Sequence, residues 1–134
     1  MKILTRSDVL GYAEEQFGEV PVYLWVKTPE AAVLRHAGNQ KWYALMMPVE
    51  RARLGLEGAG AVDILNLKID PLLTGVLRRR EGFLPAYHMN KEHWITLLLD
   101  DAVERDEGLQ LLEMSYRMTL PKIRKPKKAR EEAL

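Results

Sequence analysis

Few residues in this chain could act on a substrate or hold a metal, and their spacing limits what they can do. There are three histidines, His36, His88 and His93, and no cysteine. His88 and His93 stand five apart around Met89-Asn90-Lys91-Glu92, whereas a zinc-protease helix sets its two histidines four apart on one face. A metal site here would need Glu92 or Asp100 as a further ligand, and isolated histidines more often satisfy local hydrogen bonds. Lacking cysteine, the chain can form no disulfide, thiolate zinc site, cysteine nucleophile or iron–sulfur ligation. The only serines are Ser7 and Ser115. Ser115 lies within a helical pattern beside Tyr116, and neither serine sits in a strand–turn–helix elbow. Asp100-Asp101 falls between a strand and a helix, where Asp101 reads as a helix cap. Gly55, Gly58 and Gly60 lead into no Gly-Lys-Ser/Thr and open no helix, so they form no phosphate loop. The expectation is a non-enzymatic protein with no catalytic residue, metal ligand or cofactor.

Cations are unevenly placed. Net charge is +1, yet the last fourteen residues hold Lys122, Arg124, Lys125, Lys127, Lys128 and Arg130 against Glu131 and Glu132. Residues 1–120 are left with 14 basic and 17 acidic side chains. A tail this cationic suits attraction to an anionic polymer, with solubility as the plain alternative. Arg78-Arg79-Arg80 ends a predicted helix, where cations oppose the negative end of the dipole. Composition alone does not make the acidic body a nucleic-acid binder, because phosphate contacts supply most non-specific affinity.

These residues need a scaffold. A length of 134 residues, 47% hydrophobic and 29% charged, suits one globular domain. We expect a single domain over 1–120 and a basic, flexible tail over 121–134. Neither an apolar export signal nor a membrane-length apolar run is present, so a cytoplasmic monomer with no membrane partner is expected. Thr5 or Ser7 caps a first helix that carries Val9, Tyr12, Ala13 and Phe17 on one stripe and ends at Gly18. Residues 19–31, with Pro21 and Pro29, form a connection. Strands at Ala32–Ala37 and Lys41–Val49 flank the turn Gly38-Asn39-Gln40, and a third runs from Ala61 to Ile69. Asp70-Pro71 opens a second helix that buries Leu72, Leu73, Val76 and Leu77 and closes at Gly82. Strands at Leu84–His88 and His93–Leu99 follow, then a helix from about Val103 to Thr119 that buries Leu109, Leu112 and Tyr116 and stops at Pro121.

The fold class is therefore α+β: a two-layer antiparallel five-stranded sheet with helices on one face, in the order α-β-β-β-α-β-β-α. Leu65, Leu67 and Ile69 share one face, as do Ile95, Leu97 and Leu99, and these should meet the helices. Asn66, Lys68, Trp94 and Thr96 should then face away, with Trp42 and His36, on an open surface of aromatic, polar and basic groups.

The segment Gly82-Phe83-Leu84-Pro85-Ala86-Tyr87-His88-Met89-Asn90-Lys91-Glu92-His93-Trp94, continuing through an aliphatic strand to Asp100, resembles the signature of the MmcQ/YjbR family. Leu65-Asn66-Leu67-Lys68-Ile69-Asp70-Pro71, Ser115-Tyr116, Val33-Leu34-Arg35-His36 and Lys41-Trp42-Tyr43-Ala44 resemble its pattern too. The likeness spans about residues 5–120 and leaves out the basic tail. It implies a two-layer fold of the same element order and DNA binding, and it brings no catalytic residues.

Two readings of function follow. The first is a nucleic-acid-binding module in which Lys41, Lys68, Lys91, Arg78, Arg79 and Arg80 meet phosphates, with Lys122, Arg124, Lys125, Lys127 and Lys128 adding charge. Trp42 and Trp94 would stack on bases, unless they pack instead in a second minor core, and His88, Asn90 and His93 would add hydrogen bonds. The alternative is a protein-interaction adaptor that docks a partner on the same aromatic face, with Trp42 and Trp94 as anchors. A small-molecule site at the proline-shaped turn of residues 85–94 is a third possibility.

Overall fold

A computed structural model describes residues 1–121. Helix α1, Arg6–Tyr12, begins at a reciprocal cap. Thr5 Oγ1 accepts from the Asp8 amide at 3.1 Å, and the Asp8 carboxylate accepts from the Thr5 amide at 3.0 Å. The helix runs on as a π turn, Ala13–Phe17, to Gly18. The strands are β1, Ala32–Arg35; β2, Trp42–Glu50; β3, Ala61–Lys68; β4, Phe83–Pro85; and β5, Trp94–Leu98. Helix α2, Pro71–Leu77, separates β3 from β4, and α3, Arg105–Met118, follows β5. The five strands pair antiparallel in the order β1-β2-β3-β5-β4. This is the expected α+β fold and element order.

The main core lies between the sheet and α1 and α3. Leu65, Leu67, Ile69, Ile95 and Leu97 are fully buried there with Leu4, Val9 and Leu112, as strand alternation requires. Phe17 stacks on Tyr116 with ring centroids 3.7 Å apart and meets Tyr12 and Tyr43 edge-on. Gly108 lets α3 lie against the N-terminal segment, since a Cβ there would stand 2.5 Å from Leu4 Cδ2. No helix among the described residues is long and apolar enough to cross a membrane.

Four local expectations are corrected. In α2 only Leu73 and Leu77 reach the core; Leu72 and Val76 stand 85% and 62% exposed. Leu73 and Leu77 are one i,i+4 pair of this two-turn helix and Leu72 and Val76 another, and only one such row can face inward. The helix also stops at Leu77, well before Gly82. The cap of α3 is Glu104, whose carboxylate accepts from the Asp106 and Glu107 amides, and not Asp101. Leu4 exchanges backbone bonds with Val103 and Asp100, which holds residues 100–103 outside the helix. Finally, His36 shares the parity of Ala32 and Leu34 and lies under α3. Its Nε2 stands 3.0 Å from Tyr116 O and 2.8 Å from Thr119 Oγ1.

The other face of the sheet is not the open platform expected. Asn66 and Thr96 are fully buried on it. Ala31 and Val22, from the 20–31 connection, pack on Val33, Leu45 and Trp42 in one small cluster. Leu54, Leu56, Leu84 and Tyr87 cover Val49, Ile64 and Leu98 in another. Apolar strand residues on that side draw these loops down because leaving them wet would forfeit burial of about 1.5–3 kcal/mol for each large side chain.

Candidate functional site

Three segments meet over the second face: the 20–31 connection, residues 51–60, and the turn that joins β4 to β5. The turn is braced by the sheet beneath it. Thr96 Oγ1 donates to Asn66 Oδ1 and accepts from the Tyr87 amide at 2.9 Å, while Asn66 Nδ2 donates to Tyr87 O at 3.0 Å. Asn90 Oδ1 accepts from the Glu92 and His93 amides at 2.8 and 3.1 Å, an Asx turn that closes the loop. Lys91 Nζ donates to Ala86 O at 3.0 Å, and the Arg78 guanidinium reaches over from the end of α2 to Lys91 O. Within this frame His88 has φ +57. A side chain in left-handed backbone is costly, and such positions persist where surrounding contacts over-determine them.

His88 separates two grooves. One, of about 330 Å³, is lined by Trp25, Thr28, Ala31, Trp42, Leu45, Met47, His88 and Met89. Its two indoles meet edge-on, with centroids 5.7 Å apart and planes at 80°. The other, of about 370 Å³, is bordered by Arg53, Lys91 and His88 over Leu84 and Tyr87. No carboxylate among the described residues lines either groove.

Of the residues expected to act together, Trp42, His88 and Lys91 are gathered at these grooves. Lys68 and Trp94 are direct cross-strand partners, both half-buried, at the end of the sheet where Arg35 pairs with Trp42. Asn90 is spent on the turn, and His93 is exposed beside it. Arg78 is half-buried, and its Nε has no hydrogen-bond partner among the described residues. Arg79 is exposed, whereas both Arg80 guanidinium arms hold Glu107. Lys41 is exposed in the hairpin turn. Lys122, Arg124, Lys125, Lys127 and Lys128 lie outside the described residues.

Trp25, Met89 and Arg53 were not foreseen. The signal for Trp25 was available: Val20, Val22, Tyr23, Leu24, Trp25 and Val26 make an unusually apolar connection. Arg53 belongs to a short 3-10 turn, Arg51–Leu54, that no hydrophobic period announces.

Titration of the core side chains follows their contacts. Burial first, then the hydrogen bond that its hydroxyl donates to Glu19 at 2.5 Å, pushes the Tyr43 phenol far above its ordinary value. Tyr12 is raised chiefly by donating to Glu113 at 2.6 Å, and the same bond, with Arg117 beside it, lowers Glu113.

The chain is similar to known proteins across most of its length. The family model described as YjbR matches residues 16–118. The uncharacterized protein YyaQ of Bacillus subtilis (strain 168) is 45% identical over 117 residues, which cover 87% of this chain and 99% of that protein. A Pseudomonas syringae protein has a crystal structure that matches with a TM-score of 0.85 at 42% identity, over 87% of this chain and 100% of that one. Its solution NMR structure matches at 0.82 and 40%, over 92% and 99%. A Deinococcus radiodurans protein shares the fold at a TM-score of 0.69 and 24% identity, over 98% of this chain and 90% of that one.

Proposed function

The chain belongs to the YjbR family, and from that premise we propose that it is a non-catalytic nucleic-acid-binding module working through the grooves among the loops that roof the second face of its sheet. One observation carries the reading: a cationic groove bordered by Arg53, Lys91 and His88 adjoins an aromatic groove, and neither is lined by a carboxylate among the described residues. The helix layer carries paired charges instead, Arg80 with Glu107, Arg117 with Glu113 and Arg105 with Asp106. A polyanion would be attracted by the cations that border the groove. The charges of the C-terminal segment add to the attraction, and the DNA binding implied by the family resemblance agrees with it. Arg80 is given no part, because Glu107 neutralises it.

Anisotropy titrations of the full chain against labelled oligonucleotides, at about 50 and about 200 mM salt, test the reading. Affinity should fall steeply with salt, and a double variant, Arg53→Glu with Lys91→Glu, should bind at least ten-fold more weakly than the parent. Absence of binding at the lower salt, or a double variant equal to the parent, would overturn it.

The adaptor reading has an observation of its own. Val20, Tyr23, Leu24, Trp25 and Val26 are 65%, 54%, 43%, 40% and 95% exposed, an apolar stretch that could anchor a protein partner. Binding of a protein partner with shallow salt dependence would favour it.

A further inference from the structure

Building on the nucleic-acid reading, we infer that the Trp25–Trp42 groove is a base-stacking subsite and that the nucleic acid bound here is single-stranded. A nucleotide carries a flat, largely apolar ring at one end and an anion at the other. The two grooves that meet at His88 repeat that division: indoles, Met47, Met89 and Leu45 in one, Arg53 and Lys91 in the other. At about 330 Å³ the aromatic groove is at the small end of ligand pockets, on the scale of one ring system rather than a helix or strand. Trp25 keeps 40% of its surface in water although it stands edge-on to Trp42, so ring surface remains for a base to cover.

Phosphate recognition does not need such a groove. Cations on a surface suffice to hold a backbone, and aromatic walls add nothing to that contact. In a duplex the base faces are stacked inside and only their edges reach the grooves, so a pocket walled by indoles has nothing to receive. An unpaired strand offers both faces of every base, and aromatic side chains exploit this with little regard to sequence. The left-handed backbone of His88 holds the turn that closes both grooves, a costly arrangement of the kind found at ligand clamps.

The test uses the full chain and three probes at about 50 mM salt. They are an oligothymidylate of roughly twelve nucleotides, within the site sizes of single-strand binders, an abasic strand of equal length, and a duplex of equal length. The oligothymidylate should bind more tightly than the other two and quench tryptophan emission. Trp25→Ala should weaken its binding about five- to hundred-fold while leaving the abasic strand unaffected, and Trp25→Phe should restore part of the loss. Trp25 lies on an exposed connection, and an unchanged melting transition in the alanine variant separates lost stacking from lost fold. Equal affinity for the thymidylate and abasic strands, tighter binding of the duplex, or an unaffected Trp25→Ala variant would overturn the subsite and leave the broader reading standing. Failure of all three probes to bind would remove that reading, and this inference with it.

Discussion

At Ser115 a single hydroxyl takes the place of a strand's hydrogen bonds. The β1–β2 register pairs Leu34 with Ala44 but Arg35 with Trp42, so Tyr43 is an extra, bulged residue. The β2–β3 ladder ends beside it at Ala44 and Leu67. The amide of Lys68, which would otherwise continue that ladder, donates to Ser115 Oγ at 2.9 Å, and Ser115 Oγ donates to Tyr43 O at 2.6 Å. The bulge turns Tyr43 into the aromatic cluster, and α3 repairs the gap with one side chain. Ser115→Ala should therefore strand two buried backbone groups and cost about 1–3 kcal/mol, read as a lower urea midpoint. A variant as stable as the parent would mean that water fills the gap. Gly108→Ala is destabilising for a different reason, since its Cβ would overlap Leu4. About 1–3 kcal/mol is expected in the same measurement.

The turn between β4 and β5 is the element on which function and stability part. Its anchors, Asn66, Thr96, Asn90 and Arg78, are bonded to backbone atoms and hold the loop; Lys91 both braces Ala86 O and borders the groove, and His88 is what the loop presents. His88→Gly removes a side chain from left-handed backbone, at a saving that glycine's greater unfolded freedom largely offsets. Its denaturation midpoint should stay within about 1 kcal/mol of the parent, or rise, while oligonucleotide affinity falls. Asn90→Ala should lower both, because it takes the acceptor from two turn amides. Local chemistry of this kind is legible in a sequence. Thr5 and Asp8, Asp70 and Pro71, the Gly38-Asn39-Gln40 turn and the alternation through Leu65, Leu67 and Ile69 each declare their structure within a few residues. The roof of the second face does not. Ala31 and Val22 reach Leu45, and Leu54 and Tyr87 reach Ile64, through contacts between distant segments without periodicity. The site was thus half-visible: Trp42, His88 and Lys91 belonged to patterned segments, whereas Trp25 and Arg53 came from connections whose path no period sets.

For the whole molecule, the aromatic cluster that clamps helices to sheet also sets how the fold responds to alkali. Tyr43, Tyr116 and Tyr12 all have phenols raised above the ordinary value near 10, Tyr43 and Tyr116 mainly by burial and Tyr12 mainly by its bond to Glu113. A raised folded-state value means that the native protein keeps a proton which the unfolded chain releases earlier. The stability these groups confer is then complete below about pH 10 and is lost as pH rises beyond it towards the folded-state values. Glu113 works in the other sense: its lowered value gives stability present above the ordinary carboxylate range and lost as pH falls through it. The melting temperature should therefore be nearly level through neutrality and fall above about pH 10, where unfolded tyrosines ionise. Other groups also ionise in alkali, so the informative comparison is with Tyr43→Phe, which keeps the ring but has no proton to lose. That variant should start less stable, having lost the bond to Glu19, yet decline less steeply between about pH 9.5 and 11.5. Parallel alkaline slopes in the two proteins would show that Tyr43 ionises without opposing the fold, and would shift the cause of alkaline unfolding away from this cluster.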